Sequence, residues 1–363
     1  MAANAYHLAV MPGDGIGTEV MQAALAVLDA AEKRFGFATR REVVQGGALL
    51  YRETGEALPE AAFRRAEAAD AILFGAMGWP EIRYPDGTEI APQLALRTRL
   101  ELFAGVRPIR AIPGVPVALR DPRAEKLDLV ILRESTEGMF VSRGRAVVTD
   151  DWAEDTQRIT RRGTERLAEF AFALARRRKG RGGKGLVTLV DKANVFGSFA
   201  FMRRVFDGVA ARHPDIAAHH QYVDAMALDL VRRPWEYDVL PMENLFGDIL
   251  SDLGAGLIGG MGFAPSADIG ARHGLFQPSH GSAPDIAGRG IANPTAMILS
   301  AAMMLDWLAE TRSSPVLAEA AAAIGGAVDL AFGTGGLRTA DIGGDSGTVA
   351  VGRAIAELVA GAR

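Results

Sequence analysis

The sequence predicts an α/β fold whose sheet is largely parallel. Short apolar runs typical of buried strands alternate with longer stretches of helical periodicity. A glycine-rich turn at residues 12–17 joins the first such strand to the first helix. The 363 residues, 49% hydrophobic and 23% charged, suffice for about two globular domains at roughly 150 residues each.

The predicted elements follow this alternating order along the chain. The first strand covers residues 7–11, and a helix runs from Thr18 to about Phe35. Further strands are predicted at 71–74, 127–132, 186–190 and 237–240, and helices at 156–178 and 195–212. Strands separated by helices pair in parallel, because each helix returns the chain to the edge at which the previous strand began.

Composition and charge exclude several classes of protein. A net charge of −4 argues against a nucleic-acid or membrane-surface binder. The absence of cysteine excludes disulfides, iron–sulfur clusters, thiolate zinc sites and a cysteine nucleophile. Residues 1–10 lack the pattern of a signal peptide, and the longest uncharged run, 253–267, contains five glycines. A cytoplasmic protein is therefore expected.

The basic segment 176–184 has six basic residues and no acid. A nucleic-acid patch is conceivable, but cations also favour the C-terminal end of a helix. We interpret the segment as a helix end that runs into a solvated turn.

Three arginines could bind a substrate with several carboxylates. Arg97 and Arg107 lie in the segment 96–108, and Arg133 directly follows an apolar strand, where α/β sheets place their ligand crevices. A guanidinium offers a planar fork to a carboxylate. Each arginine alone is more often a surface ion-pair partner, so only the set favours a small polyanionic substrate.

An acidic pair, Asp248 and Asp252, is spaced so that both carboxylates share one face of a helix. Beside the apolar residues Ile249, Leu250 and Leu253, such a pair is costly unless a cation neutralises it, and oxygen ligands suit Mg²⁺ or Mn²⁺. The alternative is an acidic first turn of a helix. Asp224 is a possible third ligand, since its apolar neighbours disfavour a plain solvent-facing role, although it could also cap a helix.

Lys192 follows a predicted strand and is a candidate general base. Near a divalent cation the charged form of a lysine is disfavoured, which lets it accept a proton near neutral pH. The alternative is a loop lysine paired with Asp191.

Two glycine-rich segments could approach a phosphate. The turn at 13–17 is not GxGxxG and has no clear acidic partner about 20 residues later, so a standard Rossmann fold is not predicted. The segment 280–288 has small residues and an acid, Asp285, that could accept hydrogen bonds from a ribose.

Taken together, the motifs resemble the β-decarboxylating dehydrogenase family of isocitrate, isopropylmalate, homoisocitrate and tartrate/D-malate dehydrogenases. They cover nearly the whole chain in order: PGDGIG at Pro12, LRTRLELFAGVRP at Leu96, LRE at Leu132, DKAN at Asp191, QYVDAMA at Gln221, NLFGDILSDL at Asn244, HGSAPDIAGRGIANP at His280 and AAMML at Ala301.

The resemblance implies an isopropylmalate dehydrogenase-like fold of two discontinuous α/β domains. Residues 1–102 and 259–363 would form a large cofactor-binding domain. Residues 103–258 would form a small domain with the dimer interface, the metal ligands and the catalytic residues. The implied assembly is a homodimer whose active sites are shared between subunits.

The resemblance also implies a role for each matching residue. Arg97, Arg107 and Arg133 would bind substrate carboxylates, with Gln93 and Leu94 at the specificity segment. Asp248 and Asp252 of one subunit and Asp224 of the other would hold Mg²⁺ or Mn²⁺, and Lys192 would take the hydroxyl proton. The cofactor would contact a larger set: Ile16, Asn194, Gln277, His280, Gly281, Ser282, Ala283, Asp285, Ile286 and Asn293. Because Asp285 and Ile286 replace the lysine and tyrosine of NADP-specific members, NAD is expected.

The chain departs from the family pattern at three places. Phe140 stands at the position of the tyrosine that donates a proton to the enolate, and a phenyl ring cannot donate. Gln277 replaces a glutamate just before the PxHG segment, which removes a charge near the nicotinamide. The specificity segment 87–96 carries neither the isocitrate nor the isopropylmalate residue set, although the missing serine disfavours isocitrate.

The sequence thus predicts an NAD-dependent and metal-dependent oxidation, with decarboxylation, of a (2R)-malate-type 2-hydroxy acid such as 3-isopropylmalate, D-malate or tartrate. A dehydrogenase on the same scaffold that does not decarboxylate is the alternative that Phe140 motivates. A catalytically inactive regulatory paralogue is a third hypothesis, which the complete set of lysine, aspartates and arginines disfavours.

Overall fold

A computed structural model describes residues 5–361 of the chain. Residues 1–4, which begin both the predicted large domain and the segment tested for a signal peptide, lie outside the described residues, as do residues 362–363. By their contacts the described residues divide into two compact units. Unit 1 comprises residues 5–100, 112–118 and 258–361, and unit 2 comprises residues 101–111 and 119–257.

The alternation of strands and helices predicted from the sequence is confirmed. The strands are β1 Tyr6–Gly13, β2 Thr39–Val43, β3 Ala71–Ala76, β4 Ala104–Arg110, β5 Asp128–Glu134, β6 Val147–Val148, β7 Ala153–Glu154, β8 Leu186–Asp191, β9 Ala217–Tyr222, β10 Val239–Met242, β11 Pro265–Ile269 and β12 Gly274–Pro278. The helices are α1 Gly17–Phe35, α2 Ala48–Thr54, α3 Glu60–Glu67, α4 Pro92–Arg99, α5 Arg161–Gly180, α6 Gly197–Ala210, α7 Val223–Arg232, α8 Asn244–Leu257, α9 Thr295–Arg312, α10 Pro315–Gly333 and α11 Thr348–Ala360.

Two predicted boundaries are wrong by several residues. The helix expected from residue 156 begins at Arg161, because Thr160 caps it: its hydroxyl accepts a hydrogen bond from the Gly163 N–H at 3.0 Å. The strand expected at 237–240 covers Val239–Met242, since Pro234–Glu236 forms a short 3₁₀ turn just before it.

In unit 1 the strands follow the order β2, β1, β3, β12, β11. All these neighbours pair in parallel except β11 and β12, which are antiparallel. The apolar faces of α1, α9, α10 and α11 pack against one another and supply much of the core. This order differs from the standard Rossmann arrangement, as predicted.

In unit 2 the order is β4, β5, β10, β8, β9, and only the β4–β5 pair is antiparallel. Because β5, β8 and β10 are parallel, the residues after their carboxyl ends meet at one edge of the sheet. Strands β6 and β7 form a separate two-stranded hairpin.

The ends of the predicted domains lie within two residues of the ends of the units, and one internal segment differs. The segment 112–118 belongs to unit 1 rather than to the predicted small domain. It packs there: Val115 lies against Gly259, and Gly114 lies against the backbone of Phe332. The functions assigned to the two domains stay predictions.

Helix α10 is long and apolar enough to cross a membrane by length and composition alone. It carries Glu319 and Asp329 and packs against α1, α9 and α11. Its residues Leu317, Ile324 and Phe332 are fully buried there. These contacts are those of a core helix of unit 1.

The basic segment 176–184 contains the C-terminal end of α5, as predicted. Its side chains form ion pairs and hydrogen bonds within unit 2. Arg176 binds Asp215 with two hydrogen bonds of 2.7 Å, and Arg178 Nε donates to the buried Asp238 at 2.6 Å. The Lys179 ammonium donates to the carbonyl oxygen of Asp215.

Candidate active site

The carboxyl edge of the unit 2 sheet gathers Arg133 at the end of β5, Lys192 directly after β8, and the start of α8 after β10. Arg107 on β4 lies diagonally across from Arg133 on the same face of the sheet, because Arg107 pairs with Ile131 and Arg133 with Gly105. Both arginines are buried. The edge therefore presents two guanidinium groups side by side.

Helix α8 brings the predicted acidic pair to these arginines. Arg133 forms an ion pair with Asp248, and its Nε donates to Asn244 Oδ1 at 2.8 Å. Gly247 permits this approach, since a Cβ there would lie 2.6 Å from the Cβ of Arg133. Partial burial and the charge of Asp248 raise the pKa of Asp252, while Arg107 and Arg133 act in the opposite direction. Asp248 thus has a protein cation as its partner in the single chain.

The apolar surroundings expected for the acidic pair are wrong for a single chain. Ile249, which lies between the two aspartates, is 60% exposed, and the Asp248 side chain is 50% exposed. Of the other two apolar neighbours, Leu250 is buried on the opposite face of α8 and Leu253 is partly buried. The amphipathic helix turns its acidic face outward, with Ile249 beside it.

Lys192 pairs with Asp224 within one chain, at 2.5 Å between Nζ and Oδ1. Asp224 lies in the first turn of α7, and the hydrogen bond from Lys192 lowers its pKa. Its side chain is 67% exposed, so the solvent-facing role that its apolar neighbours disfavoured is the one observed. The alternative pairing of Lys192 with Asp191 is wrong, because Arg203 binds the Asp191 carboxylate through two nitrogens, at 2.7 and 2.8 Å.

The three predicted metal ligands do not meet in one place within a single chain. Across residues 5–361, no three His, Asp or Glu side chains are arranged so that they could hold a metal ion. Asp248 and Asp252 share α8, whereas Asp224 is on α7.

Unit 2 also has several exposed apolar side chains. Leu228 and Val231 on α7 are about half exposed, at 53% and 49%, and Val195 and Phe196 follow Lys192 with 59% and 54% exposure. The hairpin of β6 and β7 adds Val148 and Trp152. Large apolar side chains with this much exposure are typical of a protein interface.

Phe140 lies in a single 3₁₀ turn, Met139–Ser142, just before the β6–β7 hairpin. Its ring centroid is 5.1 Å from the Arg133 guanidinium carbon, a cation–π distance. The ring therefore lies beside an arginine that we predict to bind substrate, and it has no proton to donate to an enolate there.

In unit 1 the glycine turn after β1 packs against the segment 280–288. The Ile16 N–H donates to the Ser282 carbonyl at 2.8 Å, and the Ser282 hydroxyl donates to the Gly78 carbonyl at 2.5 Å. Gly15 has φ +54°, and a Cβ there would overlap the Ser282 carbonyl oxygen. The two glycine-rich segments thus form one surface.

The segment after β12 presents atoms that have no partner among the described residues. The His280 Nε2 is buried without a hydrogen bond, and burial lowers the pKa of His280. Nothing lies within 4 Å of a Cβ built on Gly281, so the backbone there is open to a ligand. Ala283 has φ +39°, Asp285 is exposed, and Ile286 is partly buried.

The remaining predicted residues are distributed over both units. Asn293 is buried and bonded to Asp341 at 3.0 Å in unit 1, and Asn194 of unit 2 is exposed. On α4, Leu94 is partly buried, and Gln93 Oε1 is buried without a partner among the described residues. Arg97 and Gln277 are buried and share a partner, Asp268.

The isocitrate/isopropylmalate dehydrogenase family model matches residues 7–358. The chain belongs to this family. The predicted resemblance and the predicted fold are therefore confirmed, and the protein is an oxidoreductase.

Named relatives cover almost the whole dehydrogenase. A 3-isopropylmalate/3-methylmalate dehydrogenase of Methanocaldococcus jannaschii is 41% identical over 98% of this chain and 99% of its own. A 3-isopropylmalate dehydrogenase of Salinibacter ruber is 42% identical over 98% and 96%. The isocitrate dehydrogenase structure from Methylococcus capsulatus is 36% identical with a TM-score of 0.85, covering 98% of this chain and 99% of its own.

Sequence reasoning missed three buried carboxylates of the dehydrogenase. Asp14 accepts backbone N–H groups from Ala48, Leu49 and Gly78 and so holds the glycine turn. Asp268 lies in β11, and Glu243 lies between β10 and α8. An acid inside an otherwise apolar run was the signal available for Asp268, as in the run 264–269.

Glu243 faces a small cavity that Glu134 and Glu137 also line. Glu243 Oε2 accepts the N–H groups of Leu245 and Phe246, whereas Oε1 has no partner among the described residues and points at Gly138. Burial raises the pKa of Glu243, and it raises the pKa of Glu134 as well. The folded enzyme therefore binds a proton at Glu243 more tightly than the unfolded chain does.

We expect Glu243→Gln to stabilise the enzyme at pH 8 more than at pH 5. Glu243 has a higher pKa in the folded enzyme than its unfolded pKa of 4.5, so ionisation of Glu243 destabilises the fold as pH rises from the unfolded pKa through the folded pKa. Glutamine stays neutral over this range. Thermal unfolding midpoints at both pH values measure the difference, with the exposed Glu125→Gln of the same unit as control. An equal effect of Glu243→Gln at both pH values would show that folding does not raise the pKa of Glu243.

Proposed function

We propose that the enzyme oxidises and decarboxylates a 3-substituted (2R)-malate with NAD and Mg²⁺ or Mn²⁺, in a homodimer with shared active sites. The observation that carries the proposal is the acidic face of α8 beside Arg107 and Arg133, together with the Lys192–Asp224 pair on the same unit. The relatives named for 3-isopropylmalate and 3-methylmalate favour an alkyl substituent at C3. D-malate and tartrate stay in the substrate panel.

The donor set of α8 fits a hard divalent cation. Asp248 and Asp252 lie one helical turn apart, and burial together with the charge of Asp248 raises the pKa of Asp252, two effects that a bound cation would oppose. Asp248 and Asp252 would hold the metal together with Asp224 of a second copy. When bound, the metal polarises the substrate hydroxyl and lowers its pKa.

The chain's own residues would bind the substrate and move its proton. Arg107 and Arg133 would bind carboxylates at the sheet edge, and Arg97 would bind another from α4. Lys192 would accept the hydroxyl proton as a neutral amine, with Asp224 positioning its Nζ. Gln93 and Leu94 at the start of α4 would contact the C3 substituent.

A second copy of the chain would complete the site. In one chain the exposed Asp224 and Asp248 belong to different helices, and exposed apolar residues such as Leu228 and Ile249 accompany both. Pairing two such faces about a two-fold axis would bury these residues. It would also place Lys192 and Asp224 of one copy beside Asp248 and Asp252 of the other.

NAD is the cofactor that the segment after β12 favours. The exposed Asp285 would accept a hydrogen bond from a free ribose hydroxyl and repel a 2′-phosphate. The open backbone at Gly281 and the unpartnered Nε2 of His280 suit close contact with a dinucleotide. We assign cofactor contacts to Ile16, Asn194, Gln277, His280, Gly281, Ser282, Ala283, Asp285, Ile286 and Asn293. The cytoplasm stays the predicted compartment.

A dehydrogenase that stops at the oxo acid is the second candidate, because Phe140 cannot protonate an enolate. The names of the relatives favour the decarboxylating reaction. An inactive regulatory role is disfavoured by the complete set of lysine, arginines and aspartates.

The test is NADH formation with Mn²⁺ across 3-isopropylmalate, 3-methylmalate, D-malate, tartrate isomers and isocitrate, with CO₂ measured in the same reaction. We expect turnover of a 3-alkylmalate with one CO₂ per NADH, loss of activity on chelation, and a preference for NAD over NADP. NADH without CO₂ would favour the second candidate, and no turnover of any hydroxy acid would contradict the proposal.

A further inference from the structure

In unit 1, two buried side chains contact the same buried carboxylate, that of Asp268. Asp268 on β11 has no exposed surface, and its Oδ2 lies 2.9 Å from Arg97 Nε on α4 and 2.9 Å from the Gln277 amide nitrogen on β12. Arg97 and Gln277 are each 6% exposed. These three side chains are one cation, one anion and one neutral amide.

Strand pairing fixes this arrangement. Ser266 is the direct partner of Gln277 across β11 and β12, so Asp268 lies diagonally from Gln277 on the same face. The Ser300 hydroxyl on α9 donates to the Gln277 carbonyl at 2.7 Å and holds the strand end in place. Asp268 and Gln277 therefore cannot move apart without breaking the ladder.

A carboxylate at position 277 would conflict with Asp268. Two buried carboxylates within hydrogen-bond distance and one guanidinium leave an uncompensated negative charge, which is costly in the interior. The neutral amide at position 277 instead donates to Asp268, which adds a hydrogen bond to a charged acceptor. Gln277, which replaces the glutamate of the family pattern, is therefore compatible with the buried negative charge of Asp268.

We infer that Asp268 is a positioning residue for substrate recognition, which holds Arg97 through Nε and requires an uncharged donor at position 277. The inference rests on the proposed function, in which Arg97 binds a substrate carboxylate and Gln277 lies near the nicotinamide. The 2.9 Å ion pair between Asp268 Oδ2 and Arg97 Nε holds the buried guanidinium in place. One buried carboxylate then orients residues on both the substrate and the cofactor side.

The first test is Asp268→Asn in the full-length enzyme, with KM for the best hydroxy acid and kcat measured separately. We expect KM to rise about tenfold, because an Arg97 guanidinium that is no longer held by a carboxylate binds the substrate in a less exact position, with a smaller change in kcat. Asp238→Asn is the matched control, since Asp238 is equally buried and bonded to Arg178 Nε at 2.6 Å in unit 2. The control is expected to lower the unfolding midpoint and leave KM unchanged.

The second test is Gln277→Glu in the wild-type and Asp268→Asn backgrounds. We expect Gln277→Glu alone to lower the unfolding midpoint and raise KM, and the double variant to recover both, because one carboxylate again faces Arg97. Equal effects of Gln277→Glu in both backgrounds, or an Asp268→Asn enzyme whose KM stays within twofold of wild type, would overturn the inference. If the wild-type enzyme itself oxidises no hydroxy acid in the same assay, the proposed function is wrong and the positioning role with it.

Discussion

A heterodimer of one Lys192→Ala chain and one Asp248→Ala chain is expected to recover about half of the wild-type activity, because one of its two sites is intact. Each parent homodimer lacks a necessary residue in both sites, and loss of the base alone should lower kcat at least ~10²-fold. Coexpression with two different affinity tags isolates the heterodimer, and NADH formation with the preferred hydroxy acid measures it.

A second heterodimer is the matched control for the shared site. Lys192 and Asp224 are paired at 2.5 Å within one chain, so both would serve the same site. A heterodimer of Lys192→Ala and Asp224→Ala chains therefore has one defect in each site and should stay as inactive as its parents. If the Lys192→Ala and Asp248→Ala heterodimer is equally inactive, these residues do not come from opposite subunits.

Gly17→Ala is expected to cost about 3 kcal/mol of folding free energy or more, which for a chain of 363 residues corresponds to a fall of at least roughly 4 °C in the unfolding midpoint. A Cβ on Gly17 would overlap the Pro12 carbonyl oxygen and lie 2.8 Å from both N and O of Ala76, and all three atoms are backbone. Neither β1 nor β3 can retreat without breaking its parallel ladder. The gain in helix propensity, at most about 1 kcal/mol, does not offset this overlap.

Gly281→Ala is the control for Gly17→Ala. Nothing lies within 4 Å of a Cβ built on Gly281, and its φ is not positive, so the unfolding midpoint should change by less than ~2 °C. Thermal unfolding followed by circular dichroism compares the two variants. A Gly17→Ala enzyme as stable as Gly281→Ala would show that α1 and β3 have room to separate.

Much of the fold could be predicted from the sequence because the signals are local. The turn at residues 12–17 contains the glycines that the β1–α1 connection requires, and the apolar runs before Arg133 and Lys192 end where β5 and β8 end. The start of a helix was predicted less accurately where a single capping side chain decides it. Thr160, for example, makes α5 begin five residues later than predicted.

The candidate site could be predicted only in part. The four-residue spacing of Asp248 and Asp252 places both on one helix face whatever the fold. Their ion-pair partner Arg133 is 115 residues away in sequence from Asp248, and no local pattern reveals such a pair. The same holds for Lys192 and Asp224: the only pairing that the sequence offered for Lys192, as an alternative to the general-base role, was the neighbouring Asp191.

The sequence by itself determined which residues we propose for the chemistry, because a motif is a statement about residue type and spacing along one chain. The tertiary structure alone decided how their charges are shared: Asp248 with Arg133, Lys192 with Asp224, and Asp268 with both Arg97 and Gln277. These pairings depend on strand order and on which helix packs beside which strand. Electrostatic interactions act through space at distances of a few ångströms, and residues far apart along the chain reach those distances only in the folded protein.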